Sequence, residues 1–329
     1  MHDSLPSSGL RSFIAAPSPP LPILPPRIVP VGQTATLNGW GCGFSHVGEI
    51  LQGVFEIGGD WIRALVTLPC RYLTSSAEFI FDSALQSLEV TPATFTKAKR
   101  AAQIALRWLH LPVSGRLAIR SDVPDRQGYG RSTADIVAAV RAVFDAFRIR
   151  VAPHIISRIA VMAETASDST MYDDAEVRLF AHRQGNSLLH LGPLPALVIL
   201  AFNTDPTGLD TLSFPPAEYN DDERDHLRML LAALQEAINS QDIHKLGRVA
   251  SQSAEINQRF LPKHRFAEIE HLAADIGAAG VAVAHSGTVS SIVLDPQLQD
   301  LPNRIMDAIA ELDYLGMSDV FVYDSRRAA

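Results

Sequence analysis

Two glycines, two hydroxyl residues and a carboxylate fall within eight positions, Gly128-Tyr129-Gly130-Arg131-Ser132-Thr133-Ala134-Asp135. They stand directly ahead of the apolar run Ile136-Val137-Ala138-Ala139-Val140. A flexible loop that opens a helix gathers backbone N–H groups and the positive end of the helix dipole at one point, and that arrangement receives phosphate. The same segment also reads as an ordinary turn before a helix. It has no Lys-Ser or Lys-Thr to close a Walker loop and lacks the three-glycine spacing of a dinucleotide fold.

Elements on both sides must position this loop. From Ala35 to about Thr74, short apolar runs alternate with glycines, which suggests strands and turns; Phe79-Ile80-Phe81 and Leu88-Glu89-Val90 continue the pattern. Apolar residues at helical spacing predict a helix over Lys97 to Leu109. Leu117-Ala118-Ile119 reads as a strand leading into the glycine loop, followed by helices over Ile136 to Phe147 and Pro153 to Ala166. In the second half, Leu188 to Leu191 and Leu197 to Phe202 read as strands. Asp221 to Ser240, Asp242 to Phe260 and Phe266 to Ala278 read as helices. Val281 to Ala284 and Ser291 to Leu294 flank a Ser-Gly turn. This order predicts an α+β protein of two lobes with a cleft between them.

The chain has 329 residues, enough for one or two sizeable cores, and 47% of them are hydrophobic. A formal net charge of −8 argues against a nucleic-acid partner and against an anionic membrane surface. The 2 cysteines, Cys42 and Cys70, have no metal-ligand spacing and fit a reduced, cytoplasmic setting. The longest apolar run, Leu194 to Phe202, is far short of the roughly 20 residues that cross a bilayer. Residues 1–30 are rich in Pro and Ser and lack a continuous apolar core, so they read as a disordered lead rather than a signal peptide. A proline-rich ligand for a partner is the sharper alternative.

Further segments share an order with the glycine loop: Gly48-Glu49-Ile50-Leu51-Gln52-Gly53, Glu164, Asp168-Ser169-Thr170, Asp210-Thr211-Leu212, Ile256-Asn257-Gln258-Arg259 with Leu261-Pro262-Lys263, and Val283-Ala284-His285-Ser286-Gly287. Together, from about Gly39 to Asp295, they resemble the ordered motifs of the GHMP small-molecule kinases. Within that superfamily the resemblance is to the L-threonine kinases of cobalamin assembly and propanediol use. It implies a two-lobed GHMP kinase fold, with residues 31–180 as an ATP-binding N-terminal lobe and 181–329 as the C-terminal lobe. The implied activity is ATP-dependent, magnesium-assisted phosphorylation of the side-chain hydroxyl of a small amino acid, L-threonine before others. Homoserine or another small alcohol is the alternative acceptor, and a non-catalytic nucleotide or amino-acid sensor is the reading from another class.

On that resemblance, phosphoryl transfer needs a triphosphate cradle, a magnesium site and a polarised hydroxyl. Gly128, Tyr129, Gly130, Arg131, Ser132 and Thr133 would form the cradle. Ser132 and Glu164 would hold magnesium, a hard cation that prefers oxygen; a solvated helix-end acid is the alternative for Glu164. Asp168 would polarise the acceptor, or else cap the following turn, with Asp173 and Asp174 as later substitutes. Glu49, Gln52, Asp210, Thr211, His285, Ser286 and Gly287 would line the acceptor side, His285 being as readily structural. Two departures stand out, the first from the superfamily pattern and the second from that of the L-threonine kinases. Arg131 replaces a serine, and Thr165-Ala166-Ser167 lengthens the link between Glu164 and Asp168.

Overall fold

The computed structural model describes residues 37–125, 127–205 and 217–327. The expected proline-rich lead and the Asp210-Thr211 pair lie outside the described residues.

The chain begins with a long antiparallel hairpin, β1 (Leu37–Ile57) and β2 (Asp60–Phe81), turned by Gly58 and Gly59 at positive φ. Next come β3 (Leu88–Thr91), α1 (Thr96–Trp108), β4 (Gly115–Ser121), α2 (Arg131–Ala146) and α3 (Pro153–Glu164). A second hairpin, β5 (Glu176–Ala181) and β6 (Asn186–Pro193), precedes β7 (Val198–Asn203). The rest is α4 (Asp221–Ser240), α5 (Ile243–Gln258), α6 (Phe266–Asp275), β8 (Gly280–Val283), β9 (Val289–Leu294), α7 (Leu301–Tyr314) and β10 (Ser318–Asp324). The main sheet runs β10-β7-β9-β8-β1-β2-β4-β3, and β5 joins β2 while pairing with β6. The mixture of sheet and helix agrees with the α+β expectation. Strand β5, helix α7 and strand β10 are additions to the sequence reading.

Helix α2 is seated by composition. Ala134, Ala138, Ala142 and Ala146 recur every four residues and so share one face. That face lies on Gly43, Gly41 and Gly39 of β1, where any Cβ would collide with the α2 backbone. The close approach of helix to strand fixes the start of α2 against the sheet. The other faces of α2 bury Ile136, Val137, Val140, Val143 and Phe144 in a core shared with α1, α3, β2 and β4. A second core packs α4 and α5 on the opposite part of the sheet, and a third packs α6 and α7 on β7, β8 and β9.

One strand is irregular where it matters. The β1–β2 register shifts between Phe44 and Ser45, between His46 and Glu49, and between Glu49 and Leu51, with Gly48 at φ 123°. Regular alternation would put His46 and Glu49 on opposite faces of the sheet. The bulged stretch turns both toward the same interior point.

Candidate functional site

The start of α2 carries the glycine loop. Gly130 is the N-cap of α2 in the left-handed region (φ 70°), and Gly128 has φ 96°. A Cβ on Gly130 would lie 2.7 Å from Asp168 Oδ2 and would press into the His46 ring, so glycine is required by space as well as by angle. Tyr129 sends its ring into the core, 6.0 Å from Phe321 between centroids, and gives the loop its backbone alone. Its carbonyl accepts a 3.1 Å hydrogen bond from His46 N. Arg131 lies 3.6 Å from Asp135 and over the Phe95 ring, so its guanidinium is drawn back along the helix.

Ser132 and Thr133, in the first turn of α2, meet Glu164 at the end of α3. Ser132 Oγ donates to Glu164 Oε2, and Thr133 Oγ1 lies 3.1 Å from Glu164 Oε1 and 3.1 Å from Asp168 Oδ2. The single Thr133 proton serves one carboxylate at a time, and Asp168 N closes the cluster on Thr133 Oγ1. Lys97 reaches Glu164 at 3.3 Å from a mostly exposed position. Burial raises the Glu164 pKa; the Ser132 hydrogen bond and the Lys97 charge oppose the rise, and Asp168 adds to it.

Asp168 has a different environment. Burial alone would raise its pKa, but the charge and hydrogen bond of His46, with Thr133 and His182, hold it down at about 2. His46 Nε2 is 3.4 Å from Asp168 Oδ2, and His46 Nδ1 is 3.6 Å from Glu49 Oε1. Burial works against charging His46, yet the two carboxylates pull its pKa up to about 9. Glu49 is itself almost fully buried, and neither carboxylate oxygen has a hydrogen-bond partner among the described residues. Burial is the first cause pushing its pKa up to about 8. Burial of this depth favours the protonated form near neutral pH, and a cation placed beside Glu49 would draw the proton off.

The far wall is polar and uncharged apart from one lysine. Gln52 Nε2 donates to the Val283 carbonyl at 3.2 Å, which leaves Gln52 Oε1 to accept from His285 Nδ1 at 3.1 Å. That accounting places the His285 proton on Nδ1 and leaves Nε2 bare. His182 packs against His285 with 4.9 Å between ring centroids. Burial is the leading cause that lowers His182 to about 4 and His285 to about 3, so both rings are neutral near pH 7. Ser286 is exposed, and its carbonyl blocks any side chain on Gly128. Gly287, at φ 89°, packs on Gln127 and Gly128, and Thr288 N donates to the Gln127 carbonyl at 2.8 Å. The loop after β8 is thereby latched to the glycine loop.

The structure thus brings Ser132, Thr133, Glu164 and Asp168 to one point, with Glu49 joined to them through His46, and sets Gln52, His285 and Gly287 along one wall. Asp173 and Asp174 are held elsewhere: Asp173 pairs with Arg141 at 2.7 Å, and Asp174 pairs with Arg178. His46 and His182 carry no assignment from sequence. The only sequence signal for His46 is its place ahead of the Gly48-Glu49 motif. Among the described residues, two donor sets suit a cation: Ser132 with Glu164, which is all hard oxygen, and His46, Glu49 and Asp168, a nitrogen with two carboxylates whose ligand atoms lie within 4.8 Å of one another. The first set fits magnesium better, because the second already contains its own positive charge.

Residues 96–177 match the family GHMP kinases N terminal domain, a span that runs from α1 through α2 and α3 into β5. The chain is 28% identical over 260 residues to the L-threonine kinase of Citrobacter freundii, covering 77% of this chain and 85% of that protein. It is 26% identical over 270 residues to the L-threonine kinase of Salmonella typhimurium, covering 80% and 85%. Among solved structures, the homoserine kinase of Cytophaga hutchinsonii superposes with TM-score 0.63 at 15% identity, covering 88% of this chain and 95% of that one. The mevalonate kinase of Staphylococcus aureus superposes with TM-score 0.61 at 14% identity, covering 88% and 99%. These structural likenesses establish the fold. No helix among the described residues is long and apolar enough to cross a membrane.

Proposed function

For a chain with the GHMP kinase fold and a GHMP kinase N-terminal domain, we propose an ATP-dependent small-molecule kinase that phosphorylates the side-chain hydroxyl of an amino acid, L-threonine first. The observation that carries this reading is the pair of carboxylates, buried Glu164 and partly exposed Asp168, sharing the Thr133 hydroxyl at the mouth of the glycine loop.

The loop and the first turn of α2 bind the triphosphate through backbone N–H groups and the helix dipole. Ser132 and Glu164 would hold magnesium, which when bound offsets charge on the phosphate oxygens. Asp168, ionised and held by His46, accepts a hydrogen bond from the acceptor hydroxyl and aligns its oxygen for attack on the γ-phosphorus. The hydroxyl proton passes toward the Asp168 carboxylate as the new ester bond forms and the bond from the γ-phosphorus to the bridging oxygen breaks, so that ADP leaves. A carboxylate with so low a pKa is a weak base, so its contribution is orientation more than proton abstraction. Glu49, buried without a donor, suits the ammonium group of an amino-acid acceptor. Asp210 and Thr211 remain assigned to the same acceptor by resemblance. The two L-threonine kinases that cover most of the chain support threonine, and the homoserine kinase fold neighbour supports homoserine as the second reading.

Steady-state kcat/KM for L-threonine, L-serine, L-homoserine and mevalonate tests the reading. L-threonine is expected to lead, with L-serine lower by about 10–200-fold for its missing methyl. A higher value for homoserine would move the acceptor, and a higher value for mevalonate would overturn the amino-acid reading.

A further inference from the structure

Lys263 is a lysine in the interior with no opposite charge to meet it among the described residues. The residue is 4% exposed. Its Nζ donates to the Gly287 carbonyl at 2.6 Å, which occupies one of three N–H donors. No carboxylate among the described residues pairs with it, and burial is the sole cause that lowers its pKa to about 7. Its backbone is fixed from below: Lys263 N donates to Gln258 Oε1 at 2.6 Å, and Gln258 Nε2 donates to the Ala254 carbonyl at 2.9 Å inside α5.

Such a group is poorly explained as a strut. One neutral carbonyl does not compensate a buried ammonium, and an apolar side chain of similar length would pack there with less cost. Its location is specific. Gly287 sits on Gln127 and Gly128, the start of the glycine loop, and His285, two residues earlier, is bonded to Gln52 on the acceptor wall. The ammonium therefore stands where the phosphate loop and the acceptor wall meet.

We propose that Lys263 is an anion-binding residue of the cleft floor, whose countercharge arrives as a carboxylate or phosphoryl oxygen of a bound substrate. The inference rests on the reading of the cleft as a site for ATP and an amino acid, and those two substrates are the two sources of such an oxygen. Either one makes Lys263 a specificity determinant: the acceptor must carry an acid group, or the nucleotide must carry its terminal phosphates.

The test is Lys263→Met in the full chain, with Lys263→Arg as the charge-keeping control. Three quantities are measured: Tm, the calorimetric Kd of a non-hydrolysable ATP analogue, and KM for L-threonine beside 1-amino-2-propanol, which keeps hydroxyl and amine but lacks the carboxylate. The Met variant is expected to melt at or above the wild-type Tm, because an uncompensated buried charge is gone. It is also expected to lose about 30-fold or more in affinity for one anionic ligand, with partial recovery in the Arg variant. A loss confined to L-threonine, leaving 1-amino-2-propanol unchanged, identifies the carboxylate as the source. A loss in nucleotide Kd identifies the phosphate. Unchanged affinities for both ligands, or a lower Tm with a uniform fall in kcat, would overturn the inference and leave Lys263 as a pin for Gly287. If the wild-type chain binds no nucleotide and turns over no acceptor, the kinase reading falls and this inference falls with it. If the wild type is active and Lys263→Met matches it, only this inference falls.

Discussion

Glu164 and Asp168 stand on either side of one hydroxyl, that of Thr133, and are carboxylates four residues apart, the first with a buried side chain and the second partly exposed, yet their acidities move in opposite directions. Burial pushes both upward. Glu164 meets this with a serine hydroxyl and a lysine that spends most of its surface in water, and its pKa stays raised. Asp168 meets it with the buried His46 ring, 3.4 Å from its Oδ2, and falls to about 2. The neighbours, and not the depth, set the charge state. The difference also divides the labour: Glu164 still lacks a full countercharge and so favours a cation, whereas Asp168 already has one and stays anionic toward a hydroxyl.

Replacing Asp168 with Asn tests the second half of that contrast and carries the largest expected effect. Turnover should fall about 10²–10⁴-fold with a smaller change in nucleotide affinity. A fall of less than a few-fold would show that Asp168 is merely a cap. Glu164→Gln tests the first half. It should lower kcat about 10²–10³-fold and flatten the response to magnesium, while Tm is held or raised because a desolvated carboxylate is gone. A normal magnesium titration in that variant would remove Glu164 from the cation site.

The Asp168–His46 pair makes a pH prediction with two signs. Asp168 has a folded pKa below its ordinary 3.8, so its contribution is present above that value and is lost as pH falls toward about 2. His46 has a folded pKa above its ordinary 6.5, so its contribution is complete below that value and is lost as pH rises through about 9. Both describe one interaction, about 2–3 kcal/mol counted once. Denaturant unfolding from pH 2 to pH 10 should show both losses, and Asp168→Asn should diminish each. If the alkaline loss persists undiminished in that variant, His46 is not paired as described. The smallest effect belongs to Gly130→Val. A β-branched residue at φ 70°, pressed on His46 and Asp168, should destabilise the fold by about 1–3 kcal/mol and weaken ATP binding. Unchanged ATP affinity in the folded variant would detach the loop from the nucleotide.

The glycine loop was legible in the sequence because its cue is local, whereas Glu164 and Asp168 were singled out through the resemblance to the GHMP kinases. Glycines before an apolar run mark the start of α2, and α4 is bounded as its acidic first turn and periodicity suggest, with a capping box from Asn220 and Glu223. The start of α2 lies five residues earlier than the apolar run alone indicates, since Arg131 to Asp135 already take helical form. His46 was not legible. Its approach to Glu49 depends on register shifts in β1 that alternation cannot foretell, and its approach to Asp168 joins residues more than a hundred positions apart. His182 and Lys263 are likewise placed by tertiary packing, one beside His285 and the other beneath Gly287. Strand β10 carries Val-Phe-Val-Tyr between polar ends and is half exposed; it takes its place in the sheet by pairing with β7.

The most direct test of the whole account is the identity of the product. Purified protein incubated with ATP, magnesium and L-threonine should release one ADP for each new phosphate monoester. Phosphorus NMR should show that ester as a doublet coupled to the single hydrogen on the β-carbon of threonine. ADP with free phosphate and no ester, or no ADP with L-threonine, L-serine or L-homoserine although ATP binds, would contradict it.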